Sequence, residues 1–150
     1  MYQKILVPLD GSKVAECALS HVKNLVKDGA VGEVTLLNVV NVYLQGYGEY
    51  PGHVNINAIR ENLIMESRKY LADVESRLAS EGIKVKKESL EGNRPADAIS
   101  DYAQKNGIEL IVIATHGYTG LKKLMLGSVA LRVLHNSHVP VLLIRPESCR

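Results

Sequence analysis

The sequence predicts an α/β domain of the doubly wound class, a five-stranded parallel sheet with helices on both faces. Three observations predict it. Apolar, strand-like runs alternate strictly with stretches of helical periodicity, five of the first with four of the second, which is the pattern βαβ units impose. The run Leu110 to Ala114 (LIVIA) is apolar at every position, as a strand buried on both faces must be. A chain of 150 residues is also long enough for one such domain to bury a real core. With no repeat, low-complexity stretch or interdomain linker, residues 1–150 read as one domain.

The elements follow in order. Lys4 to Leu9 (KILVPL) is a buried strand ending at a turn, and Ser12 then offers a helix N-cap. Val14, Ala15, Ala18, Leu19, Val22, Leu25 and Val26 share one helical face, while Lys13, Glu16, Lys23 and Lys27 share the other. Asp28-Gly29 stops that helix, and Val34 to Val40 (VTLLNVV) is the second strand. A loop from Asn41 to about Ile56 carries Gly46, Gly48, Pro51 and Gly52 as breakers, with Tyr43, Tyr47 and Tyr50 among them. A long helix runs from Asn57 to Ser80 with Ile59, Leu63, Leu71, Val74 and Leu78 inward, closed by Glu81-Gly82. Lys84 to Leu90 alternates like an edge or near-edge strand. Pro95 sits in the first turn of the next helix, where its missing N–H does no harm, and Ala96, Ile99 and Ala103 face inward. Asn106-Gly107 stops it ahead of LIVIA. The last helix runs from near Ser128 to near Asn136, and Val139 to Ile144 (VPVLLI) closes the sheet.

Composition removes several classes of function. Apolar residues at 46% and charged residues at 23% are ordinary globular values, so disorder is not the default. A net charge of +2 with mixed signs and no basic stripe argues against a nucleic-acid partner. No apolar run reaches the roughly 18 residues needed to span a membrane. The start, MYQKILVPLD, is too short in apolar residues for a signal peptide and lacks a small-residue cleavage site, so the expected location is cytoplasmic. Cys17 and Cys149 form no CxxC or metal spacing, and two reduced thiols are expected.

Open parallel sheets bind ligands beyond the carboxyl ends of their strands, where strand order reverses. Two of the loops there stand out. One is Pro8-Leu9-Asp10-Gly11-Ser12, and the other is the stretch ATHGYTGLKKLMLGSV from Ala114 to Val129. In the second, Gly117 and Gly120 allow backbone N–H groups to approach an anion closely. Gly127 and Ser128 fall where the last helix begins, whose free N–H donors and partial positive charge attract phosphate. Ser128 adds a hydroxyl. Neither GxxxxGK[ST] nor GxGxxG is present, and on their own these residues equally suit a turn at Gly117 and a plain N-cap at Ser128. Asp10 can accept from a ribose hydroxyl or an adenine amino group, or close an Asx turn with Gly11.

The opening KILVPLDGSKVAECAL and the closing LIVIATHGYTGLKKLMLGSVALRVLHNSHVPVLLI resemble the universal stress protein family across essentially the whole chain. The family's ATP-binding members carry Gly, two residues, Gly, nine residues, Gly, then Ser or Thr. Here Gly117 is followed by the nine residues Tyr118 to Leu126 and then by Gly127-Ser128. The first position of the pattern holds Ala114, the smallest replacement, whose backbone can still reach a ligand. The resemblance implies ATP as the ligand, with magnesium able to accompany its phosphates without a dedicated protein cage. It implies Pro8 and Asp10 at adenine and ribose, Val39 touching adenine through its backbone, and Ala114, Thr115, His116, Gly117, Gly127, Ser128 and Val129 at ribose and phosphate. It implies the sheet order 3-2-1-4-5 and a homodimer through the final strand, Val139 to Ile144, where an apolar edge calls for cover.

Other candidates carry less. His116 would need a proton within about 3 Å to act as a base and suits loop packing better. His135 and His138 lack a third ligand and are expected at the surface; Lys122 and Lys123 could approach a triphosphate but better suit solvent or the dimer edge. The segment from Val42 to Val54 suits a lid over the nucleotide or a plain surface loop. Three functions follow: a nucleotide-dependent stress or signalling module, a slow ATPase or phosphotransferase, and an interaction module whose pocket stays empty. Turnover needs a positioned base and a metal-holding carboxylate, and Asp10 is the one acidic residue near the site, so binding is expected over catalysis.

Overall fold

The computed structural model describes residues 1–42, 55–115 and 127–148. Five strands form one sheet: β1 (Tyr2–Pro8), β2 (Val31–Val40), β3 (Val85–Glu91), β4 (Leu110–Ala114) and β5 (Val141–Ile144). The order is β3-β2-β1-β4-β5 and every pairing is parallel, as the alternation and the resemblance led us to expect. The helices are α1 (Lys13–Glu16), α2 (Ala18–Lys27), α3 (Ile56–Ala79), α4 (Pro95–Lys105) and α5 (Ser128–Asn136).

Side chains alternate across each strand, so the sheet sorts its apolar residues into two cores. Ile5, Val7, Val34, Leu36 and Val112 meet Ala18, Leu19 and Val22 of α2 and Leu71, Val74 and Leu78 of α3. On the other face, Leu6, Leu37, Ile111 and Ile113 meet Ala96, Ile99 and Ala103 of α4 and Ala130 and Val133 of α5. β1 and β4 feed both cores, and their central residues are fully buried, which explains their unbroken apolar runs.

Several boundaries differ from the sequence expectation, each for a local reason. β1 and β2 begin earlier, at Tyr2 and Val31, because the parallel ladder already pairs Tyr2 with Val31 and Lys4 with Glu33. β5 begins at Val141: Pro140 has no N–H for the ladder, although its carbonyl still accepts from Ile111 N at 3.0 Å. The first helix is two pieces, because Cys17 N donates three residues back to Val14 O at 3.1 Å and closes a tight turn between α1 and α2. Lys84–Leu90 resolves to a true edge strand, β3. In α3, Ile59 and Leu63 are only half-buried. A helix of 24 residues spans about 36 Å, whereas the seven residues of β3 span about 23 Å, so the first turns of α3 overrun the sheet.

Cys17 is disulfide-bonded rather than the reduced thiol expected. Distance along the sequence was a poor guide, since the chain after β5 returns to the α1–α2 corner and Cys17 Sγ lies 3.7 Å from Pro146 O. Cys149, His116, Gly117, Gly120, Lys122, Lys123 and the segment 43–54 lie outside the described residues. His135 and His138 are exposed, as expected. Among the described residues no helix is long and apolar enough to cross a membrane.

A polar clamp ties α3 to α1 at the edge of the first core. Tyr70 Oη donates to Glu16 Oε2 at 2.8 Å and Arg77 donates to Glu16 Oε1 at 2.9 Å. Burial, then the bond to Glu16, pushes the Tyr70 phenol well above its ordinary value, so it remains a protonated donor through the neutral range.

The β1–β2 pairing includes one close approach. A Cβ on Gly32 would lie 2.8 Å from Gln3 O, nearer than a carbon and a backbone oxygen can pack. Gly32→Ala should therefore force the two strands apart locally and destabilise the domain by about 1–3 kcal/mol, read as a lower urea midpoint. An unchanged midpoint would show that the strand ends move freely there.

Candidate functional site

The loop after β1 is built first by the backbone. Leu9 N continues the ladder by donating to Leu37 O at 2.8 Å. The chain then leaves the sheet at Asp10 and Gly11, and Gly11 has φ +89°, a conformation that favours glycine. Asp10 Oδ1 accepts from Ser12 N at 2.9 Å and from Ser12 Oγ at 2.5 Å. Ser12 Oγ accepts in turn from Ala15 N at 3.1 Å and caps α1. The Asx turn weighed for Asp10 is thus present, with Ser12 as the partner. It sets the carboxylate, which stays exposed, at the mouth of the space beyond the sheet.

The opposite wall is the start of α5. Gly127 is its N-cap, in the extended region at φ −63°, ψ 148°, and Ser128 is the first helical residue rather than the cap. A glycine has no side chain to accept from the helix, and the first helical bond is Leu131 N to Gly127 O at 3.0 Å. The N–H groups of Ser128, Val129 and Ala130 therefore have no intrahelical acceptor, and the helix dipole adds partial positive charge.

Between these walls lies a cavity of about 290 Å³, at the lower end of the range for small-molecule sites. Pro8, Leu9 and Asp10 of the β1 end, Val39 of β2, Ala114 of β4, and Ser128, Val129 and Ala130 of α5 line it. β1 and β4 are neighbours in the sheet, and their following helices lie on opposite faces, so the cavity occupies the switch point the fold class requires. Six of the ten expected site residues meet here: Pro8, Asp10, Val39, Ala114, Ser128 and Val129. Gly127 is the cap of α5, one residue before the lining residue Ser128. Thr115 turns away: it is 5% exposed, its N–H donates to Ile144 O at 2.9 Å and its hydroxyl points to the same carbonyl at 3.4 Å. It anchors β4 to β5 instead of lining the cavity. His116 and Gly117 lie outside the described residues.

The apolar slot was less visible in the sequence. Leu37, Ile113 and, from α4, Pro95 and Ile99 also line the cavity. They read as ordinary core positions, and the one available signal was Pro95, a rigid first-turn residue at the same end of the sheet. The cavity is apolar toward the sheet, carries one carboxylate on one rim and offers helix N–H donors on the other. It suits a flat, apolar ring joined to a hydroxylated linker and an anion. Among the described lining residues Asp10 is the one titratable group, and no described group of three or more His, Cys, Asp or Glu could hold a metal ion.

Comparison with known proteins agrees with the fold. The family model for the universal stress protein family matches residues 1–145. Universal stress protein MJ0531 of Methanocaldococcus jannaschii is 38% identical over 145 residues, covering 97% of this chain and 83% of the relative. The solved structure of MJ0577, also from that organism, superposes with a TM-score of 0.74 at 32% identity, with 96% of both chains covered. A universal stress protein from Archaeoglobus fulgidus, solved in complex with dAMP, has a TM-score of 0.65 at 23% identity over 95% of this chain and 98% of its own; at that identity the likeness is one of fold. With a family match over residues 1–145 and a relative 38% identical over 97% of its length, the chain belongs to the universal stress protein family.

Proposed function

We propose that this protein binds an adenine nucleotide, ATP above all, in the cavity between the β1 loop and the start of α5, and that it works as a stress-response or signalling module whose state or partners depend on occupancy. The observation that carries this reading is the pairing of Asp10 with the glycine-capped α5 N-terminus across one cavity. A carboxylate on one rim suits ribose and adenine donors, and helix N–H groups on the other suit phosphate. Adenine fits the apolar slot beside Val39, whose backbone faces the ring. Ala114, His116, Gly117, Gly127, Ser128 and Val129 contact the ribose and phosphates in this reading, with Thr115 contributing through backbone alone. The dAMP bound by the Archaeoglobus fulgidus protein is an adenine nucleotide on the same fold. Magnesium accompanies the phosphates through their own oxygens, and the setting is the cytoplasm.

Holding is favoured over cleaving because the described lining offers no base beside the phosphate end and no second carboxylate for a metal. Pure protein with ATP and magnesium should release no phosphate above the buffer control over hours. Sustained release abolished by a site substitution would establish the slow ATPase instead.

The second edge of the sheet supports a homodimer through β5. β3 defends its edge with Lys86 and Lys87, paired to Glu33 and Glu75 at 3.1 and 2.9 Å, the usual guard against edge pairing. β5 reads VLLI and leaves Leu142 38% exposed. Leu142→Glu should turn a dimer into a monomer in analytical ultracentrifugation, and a monomeric wild type would remove the proposal.

Mass spectrometry of ligand released from freshly purified protein should find an adenine nucleotide. Ser128→Ala should weaken ATP binding by about 1.5–3 kcal/mol, as for loss of a hydrogen bond to a charged group. Gly127→Val keeps a backbone conformation that suits branched side chains while filling the approach to α5, and should abolish binding. Wild-type affinity in both folded variants would refute the phosphate assignment.

A further inference from the structure

β2 carries one amide in an otherwise apolar stretch: Asn38 in VTLLNVV. A partly buried amide costs free energy unless its donor and acceptor are both met. Here both are. Asn38 Nδ2 donates to Leu9 O at 2.7 Å. Asn38 Oδ1 accepts from Ser67 Oγ of α3 at 2.6 Å. Ser67 is 6% exposed, and its Oγ lies 2.7 Å from Ser89 Oγ of β3.

Chemistry fixes the direction of this chain. The Leu9 carbonyl can only accept, so the NH₂ side of Asn38 must face it. Oδ1 then faces Ser67, which spends its single hydroxyl proton there. Ser67 therefore accepts from Ser89. The proton order runs from Ser89 through Ser67 to Asn38 and ends on Leu9, so each member depends on the one before it.

The last link touches the site. Leu9 is the residue at which β1 gives way to the loop, and its carbonyl accepts from the Asn38 side chain just before the chain turns off at Asp10 and Gly11. The Leu9 carbonyl and the Asp10 N–H belong to one rigid, planar peptide unit. Pinning the carbonyl therefore sets the direction of the Asp10 N–H and the position of its Cα. Leu9 and Asp10 line the cavity, whereas Asn38, Ser67 and Ser89 do not.

We infer that Asn38 is a positioning residue for the adenine–ribose end of the site: it holds the Leu9–Asp10 peptide through a hydrogen bond that Ser67 and Ser89 orient from α3 and β3. This rests on the nucleotide reading above. Because the effect enters at Asp10, it acts on the part of the ligand that ATP and AMP share.

The test is isothermal titration of the full chain with ATP and with AMP, at a temperature where each variant is fully folded. There a merely structural loss of stability would leave affinity unchanged. Asn38→Leu, close in shape but without donor or acceptor, should weaken ATP and AMP by the same factor, about tenfold. Ser67→Ala should weaken both by about threefold, and it covers the case in which Asn38→Leu does not fold. Unchanged AMP affinity in folded Ser67→Ala, or a loss confined to ATP, would overturn the role of Asn38 while leaving the nucleotide site in place. A wild type that binds neither nucleotide would instead overturn the reading on which the inference rests.

Discussion

β1 lies between β2 and β4, and the position of this one strand governs the rest of the molecule. Its residues alternate between two cores, so Ile5 and Val7 need α2 and α3 while Leu6 needs α4. A right-handed crossover from β1 to β2 puts α2 on one face, and the step to β4 on the other side of β1 puts the later helices on the opposite face. The gap left where those two paths diverge is the cavity. It is a product of chain direction and handedness, present before any polar residue is placed in it.

What the polar residues add is orientation. The β1 loop is held by its own side chains, Asp10 to Ser12 and Ser12 to Ala15, and from below by Asn38. On the α5 side the cap is a glycine, so among the described residues no side chain caps the first helix N–H groups. One rim is thus held by its own side chains, and the other presents a helix N-terminus with its partial positive charge. That asymmetry is missing from the pocket of similar size beside Arg68 and Lys87, which is lined by side chains of α3 and β3.

Much of this was legible in the sequence, and the exceptions have physical causes. LIVIA needed no correction because full burial on both faces leaves a continuous signal, and β4 spans the same residues. The start of α5 was legible because glycine and serine ahead of apolar periodicity mark a helix entry; which of the two was the cap was not, since both suit that position. The sheet order came from resemblance, because local periodicity carries no information about which strands are neighbours. Thr115 was assigned to the ligand by its position in a motif, whereas its hydroxyl points to the Ile144 carbonyl of β5. Pro95 and Ile99 were invisible as cavity-lining residues because an apolar cavity wall and a protein core ask for the same side chains. Cys17 shows the remaining limit: covalent partners follow distance in space, and the return of the chain after β5 is a tertiary fact.

The two rims of the cavity also belong to parts of the sheet with different staying power. The floor at Pro8 and Leu9 lies at the end of β1, a strand paired on both sides. The far rim sits on α5, which leads to a four-residue edge strand, β5, held by a short pairing with β4. In hydrogen exchange, the amides of β1 should open only with global unfolding, and those of α5 and β5 through smaller, more frequent openings. A ligand that touches both rims fastens the labile end of the chain to its most durable strand. Occupancy would then be written into the protein as slower local opening of its carboxyl-terminal unit, a change a partner could sense without any shift in the average structure.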